Sequence, residues 1–120
     1  MLACAFASRL HWDGNRSDLN LAVGDWMIAH VASHLGYADV ALTFASASHE
    51  RSSSAEVPPW MKASAAEGMA RAHAAAGHAS ERDRYLAEAR TGLEAIADAE
   101  DRELIASQIA TIPPSTIPAV

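Results

Sequence analysis

The sequence predicts an all-α fold, about six helices packed as stacked antiparallel hairpins, and three observations carry that prediction. The first is an internal echo. Ile28-Ala29-His30-Val31-Ala32-Ser33-His34-Leu35-Gly36 returns as Met69-Ala70-Arg71-Ala72-His73-Ala74-Ala75-Ala76-Gly77, so Gly77 stands 41 positions after Gly36. In each copy an apolar helical stretch stops at glycine and a second starts at once, the mark of a repeated helix pair. The second observation is composition. Half of the 120 residues are hydrophobic, yet aromatics make up only 6% and much of the remainder is alanine, the best helix former and a small contributor of buried area. The third is that strand-like alternation of β-branched and aromatic residues is nowhere sustained.

Length and charge narrow the function classes. A chain of 120 residues makes one domain with a modest core. The net charge is −6 and the nine Lys and Arg residues are dispersed among acids, which argues against a nucleic-acid partner. No apolar run approaches the roughly 20 residues of a membrane span, so no membrane partner is expected. The lone Cys4 forms no internal disulfide, and the default location is cytoplasmic. Met1-Leu2-Ala3-Cys4 has the look of a lipoprotein cleavage site, but no charged or long apolar segment precedes the cysteine.

The elements follow in order. A flanking helix is expected over 1–13, ending in the turn signal Asp13-Gly14-Asn15. The second helix starts near Asp18, capped by Ser17 or Asp18, and Gly36 stops it at Leu35. A third runs from Ala38 to about His49, and Glu50-Arg51-Ser52-Ser53-Ser54 reads as loop. Pro58-Pro59 suits the first turn of a fourth helix, which Gly77 ends. Ser80 with Asp83 resembles a capping box opening the fifth. Asp98 caps the sixth, with Glu100 and Asp101 at its positive dipole end, and Ile112-Pro113-Pro114 closes it. The domain thus covers 1–112, with repeats over 18–51 and 58–97, a capping helix over 98–111 and a tail over 113–120.

Helical periodicity separates faces. On the second helix Val23, Trp26, His30 and His34 share an arc of roughly 80°, and Leu21, Ile28, Ala32 and Leu35 occupy another, so this helix should be covered from two directions. On the fourth, Ala66, Met69, Ala70 and His73 form a packed face and Ser64, Glu67 and Arg71 a polar one. Glu67 and Arg71 then stand in the favourable i, i+4 order.

Met69-Ala70, His73, Gly77, Leu86 and Ala89, echoed by Ile28-Ala29, Ala32, Gly36, Ala41, Ala45 and Ser48, resemble the spacing of tetratricopeptide repeats. The seven residues beyond the usual period fit the loop around His49 to Val57. The run Ala65 to Ile112 is also similar to a group of uncharacterised bacterial tetratricopeptide-like proteins. The chain departs from the pattern at Ala32 and His73, where an aromatic is usual, and at Arg82, where a small residue is. The resemblance implies a concave groove, lined by the first helix of each pair, that takes a peptide or a partner helix. Carried over, the groove residues are Val23, Trp26, His30, Ser33 and His34 from the first repeat and Ser64, Glu67, Arg71 and Ala74 from the second. It implies a non-catalytic interaction module with a protein or peptide partner and no cofactor.

Other chemistry is sparser. His30 and His34 have the i, i+4 spacing that lets two imidazoles reach one metal, and a metal- or small-molecule-binding sensor or enzyme built on them is the alternative function. A third ligand lies at no telling spacing, and Glu67 or His73 reaches it only through the fold. His73 is otherwise expected in the core, Trp60 to staple the start of its helix, and His78 to offset the charge at the preceding helix end. Trp26 suits either a ligand platform or core filling. Ser52-Ser53-Ser54 after His49-Glu50 lacks the Gly-x-Ser-x-Gly elbow of a hydrolase and reads as loop, and Glu81-Arg82-Asp83-Arg84 as a solvated face. Two repeats are fewer than such stacks need, so the chain also suits a piece of a longer array. End faces carrying Leu104, Ile105 and Ile109, or Leu2, Phe6 and Leu10, would otherwise be covered in a homodimer.

Overall fold

The computed structural model describes residues 17–114, which form five α-helices: α1 (Asp18–Leu35), α2 (Ala38–Arg51), α3 (Pro59–Ala76), α4 (Ala79–Leu93) and α5 (Ala99–Ala110). No strand occurs among the described residues. The flanking helix expected over 1–13, with Leu2, Cys4, Phe6 and Leu10, lies outside them, as does the tail from residue 115 on.

Local chemistry sets the helix ends. Ser17 accepts from the Asn20 amide at 3.1 Å and opens α1. At its other end the Gly36 amide reaches the Ser33 carbonyl at 3.2 Å and the Tyr37 amide reaches Ala32 at 2.8 Å. The same pair of bonds closes α3, from Gly77 to Ala74 at 3.1 Å and from His78 to His73 at 2.9 Å. Both glycines are left-handed, with φ of 81° and 80°, a conformation that costs a side-chain-bearing residue about 1–2 kcal/mol. The echo in the sequence is therefore an echo in backbone hydrogen bonds. Asp98 accepts from the amides of Glu100 at 2.8 Å and Asp101 at 3.2 Å and opens α5.

Three expected boundaries shift. α2 runs on to Arg51 because Arg51 is fastened to the buried Asp25 of α1 at 3.1 Å. α4 opens at Ala79 with His78 as its capping residue and no side-chain cap bond, so the Ser80 box is not formed. The two-residue turn after α3 leaves no room for a later start. α5 ends at Ala110, ahead of Ile112.

α1 packs on α2 and α3 on α4, each pair joined by two residues, and α3 packs against all four other helices. Only a slim helix can hold that position. α3 buries Met61, Ala72, Ala74 and every residue from Ala63 to Ala70. Its alanines face Ala89, Ile96, Ile105 and Ile109 on one side and Ala29, Ala32, Ala41 and Ala45 on another. At Gly68 and Gly92 the approach is closer still. A Cβ on Gly68 would stand 3.1 Å from Trp26 Cδ1, and one on Gly92 3.2 Å from Ala63 Cβ.

Side chains sew the helices together at points that periodicity does not reveal. Ser48 donates to the Ala22 carbonyl at 2.8 Å, tying α2 to α1. Lys62 donates to the carbonyls of Ser52 and Ser54 and fixes the α2–α3 loop. Arg82 donates to the Pro113 carbonyl at 2.8 Å, so the residue that breaks the repeat pattern holds the segment after α5. The end face expected for a homodimer is largely used up internally. Ile105 and Ile109 are buried against α3 and α4, and Leu104 alone of that set is exposed, at 59%.

Candidate functional site

α1 and α5 both pack on α3 but not on each other, so they stand as two walls over a floor made by α3. Two hollows lie along this trough. The first, of about 490 Å³, has Val23 and Trp26 on one wall, Leu104 and Gln108 on the other, and Trp60 and Ser64 from α3. The second, of about 820 Å³, has His30, Ser33 and His34 on one wall, Thr111 on the other, and Arg71 on the floor. Both volumes fall in the range of small-ligand and peptide-anchor pockets.

Seven residues expected on one groove thus line these two hollows: Val23, Trp26, His30, Ser33, His34, Ser64 and Arg71. Glu67, the eighth, does not. It stands on α3 between Ser64 and Arg71, one turn from each, and is fully buried. Ala74, also expected there, is buried in the α3–α4–α5 core. Ser64, Glu67 and Arg71 make a polar face, but a largely buried one, because α3 packs against all four other described helices. Ser64 is 6% exposed and the Arg71 side chain 12%. Among the described residues no further helix covers the second apolar arc of α1, which forms the trough wall with His34 exposed and Trp26 and His30 half-buried; the flanking helix expected over 1–13 lies outside them. Trp60 does not staple the helix start but stays 37% exposed at the first hollow.

The buried Glu67 carboxylate is compensated locally. Oε2 accepts from Arg71 Nε at 3.0 Å, and Oε1 lies 3.4 Å from His30 Nε2. Arg71 Nη2 donates to the Gln108 carbonyl at 3.1 Å and to Thr111 Oγ1 at 2.9 Å. The guanidinium therefore fastens the last turn of α5 to α3, adding to the bonds that the Thr111 amide and hydroxyl already make to the Gln108 carbonyl. Arg71 is a strut first, and what it offers the second hollow is one remaining nitrogen.

Buried polar atoms cluster along the same trough. Trp26 Nε1, His30 Nε2, Ser33 Oγ and Glu67 Oε1 make no hydrogen bond among the described residues. Such atoms cost roughly 1–3 kcal/mol each when nothing satisfies them; Glu67 Oε1 and His30 Nε2 face each other at 3.4 Å, which leaves Trp26 Nε1 and Ser33 Oγ as the atoms a polar partner would satisfy. The two hollows also differ in charge, since Asp101 lines the first. The chain carries 15 acids against 9 Lys and Arg, yet no carboxylate lines the second hollow.

The remaining candidates resolve as follows. His30 and His34 belong to no set of three His, Cys, Asp or Glu ligand atoms among the described residues. His49 pairs with Glu88 at 2.6 Å, and Ser53 donates to the Glu50 carbonyl, so the serine run after α2 works as a loop. His73 is not a core residue. It is half-buried at the end of α3, stacked on Tyr85 with centroids 5.5 Å apart, and its Nδ1 lies 3.0 Å from Nδ1 of His78. Burial lowers the His73 pKa most, and His78 lowers it further; Glu81 raises it and Arg84 lowers it. His78 meets this ring instead of standing free at the helix end. No described helix is long and apolar enough to cross a membrane. No protein-family model, curated protein or solved structure matches this chain.

Proposed function

We propose that this chain is a non-catalytic interaction module, a short tetratricopeptide-like stack whose trough takes a peptide segment from a protein partner. The observation that carries the reading is the placement of seven groove residues, chosen from spacing, along two hollows over one helix. The first helix of each pair and the closing helix supply most of the lining, with Gly36, Thr111 and Pro113 beside their ends, as in a concave repeat surface.

The two hollows differ in chemistry and therefore select different ends of a ligand. Trp26, Trp60 and Leu104 accept an apolar side chain. His30, His34, Ser33 and the free Arg71 nitrogen accept a carboxylate, in a chain that is otherwise acidic. Ser64 and Arg71 are seven residues apart on α3, so the anchors are separated by about 10 Å. That is the span of roughly three extended residues. The ligand is an apolar residue followed, about three positions away, by an acidic side chain or a terminal carboxylate.

Selection from a displayed random-peptide library tests this. Enriched sequences should share that spacing, and capture should be lost in Leu104→Glu and His34→Glu, whose exposed side chains leave helix content unchanged. Arg71 is unsuitable as a probe because its removal loosens α5. An unenriched library, or peptides that bind both variants as well as the parent, would overturn the reading.

A further inference from the structure

The two copies of the repeat share the turn that joins the helices of each pair but carry different side chains around it, in the second copy on the end of α3 and the start of α4. Gly77 reverses the chain in two residues, so His78 is carried back beside the last turn of α3. There its Nδ1 comes within 3.0 Å of the His73 Nδ1. Glu81, three residues along α4, extends from the same side, and the three ligand atoms all lie within 4.8 Å of one another.

We propose that His73, His78 and Glu81 form a binding site for a divalent transition-metal ion, of the zinc, nickel or copper class. This site lies outside the trough and does not depend on the function proposed above. Two imidazole nitrogens held tetrahedrally by one zinc at ~2.0–2.1 Å stand roughly 3.3–3.4 Å apart. The His73 and His78 nitrogens, now 3.0 Å apart, need to part by only about a few tenths of an ångström for the ion to take the place of the hydrogen bond between them. Glu81 completes the set by turning its exposed carboxylate, which makes no hydrogen bond or ion pair among the described residues.

The surroundings fit a ligand pair better than a chance contact. Tyr85 stacks on His73 at an interplanar angle of 4° and fixes the ring plane. The neighbouring carboxylate Glu88 is taken by His49, and Arg84 lies over the Tyr85 ring, 4.7 Å from its centroid. Two neutral imidazoles and one carboxylate favour borderline metals over calcium or magnesium, which need more oxygen ligands. Three protein ligands leave a fourth position open to water or an external group.

The site is also not a by-product of the repeat. The positions of the first copy that answer to His73, His78 and Glu81 are Ala32, Tyr37 and Val40. The backbone turn is the same in both copies, and only the second carries ligands.

Calorimetric titration of zinc chloride into untagged, chelator-treated protein at pH 7.5 tests the proposal. One equivalent should bind, and His78→Ala should weaken binding at least about tenfold, the lower end of what disturbing even an outer partner costs. Glu81→Gln should weaken it in the same direction. The double variant His30→Ala/His34→Ala should bind as the parent does, and calcium should not compete. His78 is exposed, so an unchanged circular-dichroism spectrum separates lost ligation from lost fold. No zinc binding by the parent, binding unaltered in His78→Ala, or binding lost only with His30 and His34 would each overturn the assignment.

Discussion

Glu67 and Arg71 form an ion pair of 3.0 Å on the floor of the trough, with the carboxylate wholly removed from solvent. One i, i+4 pair thus does two jobs. It neutralises a charge in the middle of the most enclosed helix, and through Gln108 and Thr111 it holds the wall that α5 provides.

Breaking that pair should be costly. Glu67→Ala leaves the Arg71 guanidinium largely buried without its counter-charge, for which a loss of about 3–5 kcal/mol is expected. Replacing both residues by methionine should recover part of the loss, since two apolar groups carry no desolvation penalty. Urea denaturation of the single and double variants measures this. A double variant no more stable than Glu67→Ala would mean that the charge pair is not what Glu67 contributes.

The alanines of α3 set how closely its neighbours can come. Ala70 is fully buried between α3, α4 and α5, so Ala70→Leu should destabilise by about 1–3 kcal/mol through overpacking. Ala87→Leu, at an exposed position of α4, should stay within about 0.5 kcal/mol of the parent. Equal effects at the two sites would show that the close packing of α3 is not limiting.

The helix-stopping glycines allow a cleaner separation of causes. A Cβ on Gly36 meets nothing within 4 Å, so Gly36→Ala should cost only the left-handed backbone, about 1–2 kcal/mol. D-alanine introduced there by chemical ligation should restore the loss. If both enantiomers destabilise equally, the positive φ is not the reason for glycine.

His73 gives a pH dependence in metal-free protein. Its pKa is lowered in the folded state, by burial first, so between the folded and unfolded values the unfolded chain holds more protons. The stability contribution is therefore complete above the ordinary histidine pKa and is lost as pH falls below it. His78, Glu81, Arg84 and Tyr85 surround the ring, and His73→Gln should flatten this slope while they remain. An NMR titration midpoint for His73 above that of a histidine peptide would contradict the sign.

What could be read from the sequence was what neighbours in sequence decide. Gly36, Gly77, Ser17 and Asp98 act within one turn, and each is found where its residue type requires. The trough wall on α1 was legible because Val23, Trp26, His30 and His34 recur with the helical period. The burial of Glu67 was not, because it depends on α5 packing beside a helix some thirty residues earlier in the chain. An i, i+4 acid–base pair looks the same on an exposed face. His73 was misplaced for a related reason. The wheel put it with Met69 and Ala70, but in the last turn of α3 its ring meets Tyr85 and His78 at the edge of the α3–α4 pair and stays half-buried.

The central claim is that the trough over α3 is the binding surface. The most direct measurement is the map of backbone amide shifts when a library-selected peptide is titrated into labelled protein. The account predicts shifts on α1 from Val23 to His34, on the floor from Met61 to Ala75, and on α5 from Leu104 to Thr111. Shifts confined to the outer faces of α2 and α4 would contradict it.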